Sequence, residues 1–578
     1  MARLRQLWYV ARGLPPSGPM DSHAVAARLR EIAAYLELDG ERFRARAYEK
    51  AARSVEASQN LEKLIAEGRL TELPRVGESL ARTIEEIVDS GTVGILERLR
   101  ARWPKVLVEM ADLPGLGAAR ARKLYDEIAP DTLDDLAAAL AAGRVRELEG
   151  FGPALEKKLV KALESRHERS EPLILAEARA VSESLAGYAR GGPAVTEAVA
   201  AGSARRFMEV NDRLAIAVAS REPDAVVEHM GRHPLVLSIE RRGAGPAIAR
   251  LASGALCEIH VAPPDSFGLA LLRATGSPAH VAAIEARAAS GGARLERLPD
   301  EAAVYRAVGL PLLPPEVRDG TDEIAAAEAG DDFADLVQLS DLRGAVHCHT
   351  VYSDGKNTVV EMARAAEALG LEYITITDHS PTAHYAGGLS VERLHQQWAE
   401  IAEVQRQVGV RILRGTESDI RSDGELDYPH EVLGEMDIAI ASIHSRYKQD
   451  EDAMTHRIVT AMRQPLFKIW GHALGRLVLS RDPVPVRFDE VLDAICTSPA
   501  AIEINGDPKR LDLDPERARR ALARGIRFVL SCDAHSTAQL RYLELAVAMA
   551  RRARIRRHHV LNTSPVDEFA RAVRPVPS

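Results

Sequence analysis

Nine histidines and carboxylates, nearly all placed directly after apolar strand-like runs, limit what the C-terminal part of this chain can become. They are His347, His349 and Asp354 in VHCHTVYSDG, His379 in ITDHS, Glu417 in GTESDI, His444 in ASIHS, His472 in WGHALGR, and Asp533 and His535 in SCDAH. The runs EYITITD, VRILRGTE, MDIAIASIH, IEIN and RFVLSCDAH alternate with helical stretches, and the last 248 residues hold 12 of the 18 histidines. Parallel strands joined by helices, with polar residues gathered behind the strands, predict a β/α barrel whose site lies at its C-terminal face.

A lone histidine is usually structural, but nine such residues in this arrangement predict a metal cluster. Side chains on a strand alternate with period two, so His347 and His349 are expected on one face, as are Asp533 and His535. Imidazoles with a few carboxylates suit zinc, manganese or iron, whereas calcium and magnesium prefer all-oxygen sites. Nine ligands exceed the needs of one ion. Two or three are expected, with Glu417 as the natural bridge. Such sites generate hydroxide near neutral pH and neutralise charge on attacking and leaving oxygens, so phosphoester hydrolysis is the expected chemistry. Lys356, Arg446 and Arg476 lie near these motifs and are candidates to clamp a phosphate.

The whole chain has 578 residues, too many for one ordinary domain at about 100–200 residues each. With 46% hydrophobic and 28% charged residues, each domain can bury a core, and bulk disorder is excluded. The formal charge of -9 provides no global attraction to nucleic acid, so any DNA contact must be local. Cys257, Cys348, Cys496 and Cys532 form no CxxC pair, which argues against a disulfide framework or a zinc finger and for a reducing compartment. No apolar run is long enough to span a bilayer, so a cytoplasmic, nucleoid-associated location without membrane contact is expected. Residues 1–19 lack helical periodicity and read as a disordered tail or a mis-called start.

Residues 20–170 show helical periodicity punctuated by three similar segments, LPRVGESLARTIEEI, LPGLGAARARKLYDEI and LEGFGPALEKKLVKAL. Each is an apolar residue, a glycine-containing turn and an amphipathic helix. A turn opening a helix presents unpaired N–H groups and the positive end of the helix dipole to a phosphate. One such turn is an ordinary connection; three favour binding. They resemble helix-hairpin-helix motifs, which bind the DNA backbone without reading sequence. The second and third keep Gly115, Gly117 and Gly150, Gly152, with Arg120, Arg122, Lys123, Lys157 and Lys158 nearby. The first has Arg75 in place of a glycine, a strained choice if φ is positive there, and leaves Gly77 at a weakened site. Residues 171–322 mix strands such as LAIAVAS and LCEIHVA with helices, an α+β pattern. An acidic, alanine-rich linker at 323–340 precedes the barrel domain, 341–578.

The HCHT, SDG, TDH, GTE, SIH, GH and CDAH series resembles the PHP (polymerase and histidinol phosphatase) superfamily, a distorted β/α barrel with a trinuclear metal site. That resemblance implies one metal on His347, His349, Glu417 and Asp533, a second on Glu417, His444 and His472, and a third on Asp354, His379 and His535. By that resemblance manganese is expected in the active form, with zinc also admitted by the ligands, and Glu417, Asp533, His349 and Arg446 are the expected catalytic residues. Asp378, Glu503 and Asn505 are candidates to orient ligands.

The order of domains, and DGERFRARAYEKAARSVE near the start, resemble the bacterial family X DNA polymerases, so the middle should be a nucleotidyltransferase-like palm and thumb. The palm pattern survives in Gly202, Ser203, Arg205, Arg206 and Glu209, and Asp212 is available. The second acid of the Asp-x-Asp pair is read as Leu214 and the third acid as Glu258, with His260 in place of an arginine. Two-metal nucleotidyl transfer needs those carboxylates, so a remnant palm with weak or lost polymerase activity is expected. Magnesium would be used if the palm were active. The resulting expectation is a monomeric DNA repair enzyme that hydrolyses phosphodiesters at gapped or 3′ DNA ends, in the 3′ to 5′ direction that the family implies. Alternatives are an active gap-filling polymerase with proofreading, a phosphatase of the histidinol-phosphate kind, and a DNA-end scaffold.

Overall fold

The computed structural model describes residues 22–575 apart from 57, 59–60, 91, 167–169, 171 and 242–244; the expected tail, 1–19, lies outside them. The N-terminal part is helical. Its core is small and aliphatic, built from residues such as Leu29, Ile32, Ile84, Leu107, Leu124 and Leu159 on one face of successive helices. The three glycine-type turns share one backbone: Val76, Leu116 and Phe151 each donate an N–H to the carbonyl three residues earlier, on Leu73, Leu113 and Leu148. At the equivalent position Arg75, Gly115 and Gly150 have φ of 67°, 90° and 90°. Arg75 therefore occupies the left-handed conformation that its two counterparts reach with glycine.

The middle unit carries a two-stranded pair, β1 (Leu173–Ile174) with β3 (Val210–Asn211), and a five-stranded sheet. The sheet contains β2 (Val195–Ala201), β4 (Arg213–Ser220), β5 (Val236–Arg241), β6 (Ala247–Leu251) and β7 (Leu256–Ala262), ordered β2-β4-β7-β6-β5. Only β4 and β7 run parallel. Leu214, Ile216 and Val218 face one core, and Ala215, Ala217 and Ala219 face another beneath the helix Phe267–Thr275. This alternation is the direct result of strand pleating.

The expected linker is a packed connection. It holds a helix, Glu323–Glu328, and buried Glu323 accepts from Gly320 and Thr321 N–H and meets His280 Nδ1 at 2.6 Å. Further on, Val337 donates to the Ile555 carbonyl, and Arg556 pairs with Asp331 and Asp335.

The C-terminal unit is a seven-stranded parallel sheet in sequence order: β8 (Gly344–Cys348), β9 (Tyr373–Ile376), β10 (Arg411–Asp419), β11 (Ile438–Ser442), β12 (Lys468–Trp470), β13 (Ala500–Asn505) and β14 (Phe528–Ser531). A parallel bridge between Cys348 and Ala534 closes the barrel. Every strand sends an apolar residue into the closed end: Val346, Tyr373, Leu413, Ile440, Ile469, Ala501 and Val529. The C-terminal helix Val566–Val573 plugs that end with Phe569 and Val573, and the Phe569 ring stacks on Tyr373 at 4.8 Å. With one end filled, polar side chains collect only at the other.

Gly344 illustrates how tightly the plug fits. A Cβ there would lie 2.0 Å from the buried Tyr373 ring. Gly344→Ala is expected to cost about 1–3 kcal/mol, as overpacking does, read as a lower denaturation midpoint with an unchanged slope.

Candidate metal centre

All nine predicted ligands come together at the C-terminal mouth of the barrel. Glu417, at the end of β10 and 1% exposed, is their centre. Its Oε2 lies 3.3 Å from His347 Nε2, 3.6 Å from His349 Nε2 and 3.0 Å from His379 Nδ1. Its Oε1 lies 3.1 Å from His444 Nε2 and 2.7 Å from His472 Nε2. Asp533 Oδ1 stands 3.6 Å from His347 Nε2 and 3.3 Å from His349 Nε2. Asp354 Oδ1 is 3.3 Å from His535 Nε2 and 3.6 Å from His379 Nε2. The donor atoms fall into four overlapping groups, His349–Asp354–His379–His535, His347–His349–Asp533, His347–Glu417–His472 and His379–Glu417–His444, each within 4.8 Å.

His347 and His349 alternate across Cys348, which packs in the outer core, but a break in alternation precedes them. The β8–β9 ladder slips between Ala345 and Cys348, and His347 has φ 66°. This bulge turns both Val346 and His347 inward. The displaced N–H groups of His347 and Cys348 are taken up by the hydroxyls of Thr375 and Thr377. Asp533 and His535 likewise lie beyond β14 rather than on it. There Asp533 (φ 47°) and the Ala534 bridge set their direction. His472 is also left-handed, at φ 24°. Such strain persists only where surrounding structure over-determines it, and it gathers at functional sites.

The donor chemistry fits divalent cations. Buried His347 Nε2, both nitrogens of His349, His379 Nδ1, Glu417 Oε2 and His444 Nε2 have no hydrogen-bond partner among the described residues. Orphaned buried polar atoms are costly, and here they converge. Outer groups orient the rings as metal ligands require. Glu503 accepts from His347 Nδ1 at 2.5 Å and from the His472 N–H, and Asn505 bonds Glu503 at 3.1 Å. Asp378 does not reach the metal side of the cluster; it ties Thr350, Ser353 and Gln397 together beneath it. Asp419, which holds His444 Nδ1, escaped the sequence reading, although its place two residues after Glu417 on one strand face was a usable signal.

The arginines are rearranged. Arg446 is exposed at φ 58°, and no ion pair ties it to the cluster among the described residues. Arg476 points away, to the Arg510 and Leu511 carbonyls and to Glu209. The guanidinium at the cluster is that of Arg510, whose Nε lies 3.0 Å from Asp533 Oδ2. Its loop, beyond β13, carries no periodic signal that would single it out. Lys356 is exposed, and its backbone N–H bonds the His535 carbonyl.

In the middle unit, register separates Leu214 from Glu258. Glu258 on β7 pairs with Ala215 on β4, whereas Leu214 pairs with Cys257 and faces the opposite core at 1% exposure. The residues of β4 nearest Glu258 on its face are Arg213 and Ala215, a guanidinium and a methyl group. Arg213 lies 3.6 Å from Glu258, which also meets His260 at 3.1 Å. Asp212 is exposed, ahead of the strand. Gly202, at φ 72°, lets its turn pass against Ala215, and Ser203 bonds Asn211. Arg206 donates to the Thr275 carbonyl and approaches Asp319. Among the described residues, no group of three or more potential metal ligands forms here.

In the N-terminal unit Gly77, Gly115, Gly117, Gly150 and Gly152 sit in the three turns that open the helices Glu78–Ser90, Gly117–Ile128 and Pro153–Arg166. Arg120 donates to the Gly115 carbonyl and Lys123 to the Glu149 carbonyl, so both brace turns. Lys157 and Lys158 are exposed, the latter beside Gly115.

Protons occupy the cluster when cations do not. Burial disfavours charge on His444, yet Glu417 and Asp419 outweigh it and raise its pKa to about 10. His535 is raised to about 9 by Asp354 and Asp533 against the same burial. Burial, helped by His535, lowers His349 to about 3, leaving it a neutral ligand. Cations must therefore displace protons from raised histidines, so affinity rises with pH until those histidines are neutral. Calorimetric titration of manganese in two buffers of different ionisation enthalpy should show net proton release near neutral pH. An affinity independent of pH between about 6 and 8 would contradict this linkage.

Comparison with known proteins agrees with this geometry. Residues 20–93 match the Helix-hairpin-helix domain profile, 107–165 the SAM-like Helix-hairpin-helix tandem and 345–505 the PHP domain. The DNA polymerase/3′-5′ exonuclease PolX of Bacillus subtilis is 32% identical over 551 residues, covering 92% of this chain and 96% of the relative. A probable phosphatase of Caldanaerobacter subterraneus is 30% identical over 240 residues, 38% of this chain and 86% of that protein. A second, from Thermoanaerobacter sp., is 31% identical over 239 residues, 38% of this chain and 89% of its own length. With helix-hairpin-helix domains ahead of a palm-like sheet and a metal-binding barrel, and with a relative aligned along nearly its whole length, the chain belongs to the PHP-domain-bearing family X DNA polymerases, the PolX family.

Proposed function

We propose that this chain is a DNA repair nuclease that removes nucleotides from gapped or 3′ DNA ends, with its palm no longer a polymerase. The observation that carries this reading is a contrast: a complete, mostly buried donor set in the barrel, and Arg213 and Ala215 rather than acids beside Glu258 in the palm. The likeness of the barrel to phosphatases supports phosphoester hydrolysis there.

Divalent ions, three of them and of manganese or zinc, would be held by the nine residues and would supply a hydroxide nucleophile and neutralise charge on the phosphate. Around them the chain's own groups have distinct tasks. Glu417 presents one oxygen to each side of the cluster and would share in holding the ions. Glu503 and Asp419 hold the His347 and His444 rings with their Nε2 atoms inward. The helix-hairpin-helix turns would grip the sugar–phosphate backbone through N–H groups and nearby lysines, a contact that stays indifferent to sequence.

The decisive assay uses a 5′-labelled primer on a gapped template with manganese, with and without deoxynucleotides. The wild type should shorten the primer, His349→Ala should do so at least about 100-fold more slowly, and neither should extend it. Extension by both proteins would overturn the lost-palm reading. For the grip, Lys157→Ala with Lys158→Ala should weaken DNA binding uniformly across sequences and lower the salt slope by about 1–2, measured by fluorescence anisotropy.

A further inference from the structure

Arg510 stands out among the groups at the cluster. Its guanidinium has five donors, of which Nε forms an ion pair with Asp533 Oδ2 at 3.0 Å, while Nη1 is buried without a hydrogen-bond partner among the described residues. Glu417 and Asp507 add their fields to that of Asp533. A rigid fork, anchored at one edge and unpaired at another beside convergent metal ligands, matches the needs of a phosphate oxyanion.

The segment that carries Arg510 is gripped from behind. Leu511 is left-handed at φ 45°, and Arg476 donates to the carbonyls of both Arg510, at 3.0 Å, and Leu511. Arg476 is in turn held by Glu209 of the palm at 3.2 Å. The other oxygen of Glu209 binds Arg552 of the barrel domain at 2.6 Å, and Arg552 reaches Asp319, which also meets Arg206. Side-chain exposure along this chain is low, 15% at Arg476, 16% at Glu209 and 6% at Arg552. Of the acids that the palm pattern calls for, Glu209 is kept, and it faces the barrel rather than a nucleotide.

We propose that Arg510 binds the scissile phosphate in the barrel, and that the palm positions it through Glu209 and Arg476. The remnant palm thus serves as a buttress of the nuclease site. The inference rests on the hydrolytic reading given above. Arg510 is the substrate-touching group; Arg476 and Glu209 act through it.

The test uses full-length protein and the p-nitrophenyl ester of thymidine 5′-monophosphate, a phosphodiester too small to reach the helix-hairpin-helix turns. Thymidine 5′-monophosphate binding is measured by calorimetry in parallel, and metal content by mass spectrometry. Arg510→Ala should retain its metals and melting temperature, yet lose affinity for the monophosphate and raise KM by about tenfold or more, with partial recovery in Arg510→Lys. Glu209→Gln should keep the metals and weaken monophosphate binding by a smaller factor. Unchanged affinity in Arg510→Ala with metals intact would overturn the phosphate role. So would loss of metals, which would make Arg510 a prop for Asp533. Unchanged affinity in Glu209→Gln would overturn the buttress. Failure of the wild type to hydrolyse the ester while binding metal would instead defeat the hydrolytic reading itself.

Discussion

The structure turns on one buried carboxylate. Glu417 receives five imidazoles within 3.6 Å of its two oxygens, and histidines beside it outweigh burial to hold it ionised, well below the usual carboxylate range. A charge at 1% exposure survives only when fully compensated. That compensation explains the features around it: seven strands aimed at one point, a plugged opposite end, and the bulge that turns His347 inward. The rings arrive from four strand ends, with β8 supplying both His347 and His349, because a strand offers the same face only every second residue.

The same economy of position explains the palm. The inner faces of its sheet are filled largely by alanine, valine, leucine and isoleucine side chains, which pack without needing acids. Its polar side chains make mechanical contacts. Arg205 binds Thr275 and Glu301, Arg206 reaches Thr275 and Asp319, and Glu209 takes two arginines of the barrel domain. These partly buried, multiply bonded pairs leave no ion uncompensated, which isolated surface pairs do not need to do. The connection at 323–340 is bound into both units, with Glu323 on His280 and Asp331 on Arg556.

The N-terminal turns show how a backbone requirement can outlast its preferred residue. Arg75 takes the left-handed φ that Gly115 and Gly150 provide, at a cost of about 1–2 kcal/mol for an L-residue, because neighbouring hydrogen bonds leave it no alternative. Arg120 and Lys123, which looked like DNA contacts from their place after a glycine turn, are partly used in holding turns together.

Much of the barrel was legible in the residues themselves. Nine ligand-type side chains behind strand-like runs specify a metal-binding β/α barrel, because period-two alternation and short parallel crossovers leave few other arrangements. The three-residue strand β12 was visible only through the His472 that follows it. The helix-hairpin-helix turns were likewise readable, since a glycine at positive φ is a local requirement. Tertiary structure decided everything that depends on pairing between distant segments. Register put Ala215 rather than Leu214 beside Glu258, since only the β4–β7 ladder tells which face a side chain shares. Alternation put His347 and His349 on one face, with Cys348 on the other, but a bulge decided that this face points inward. Arg510 displaced Arg446 at the cluster and Arg476 turned back to the palm, because a long side chain on a loop takes its direction from partners hundreds of residues away.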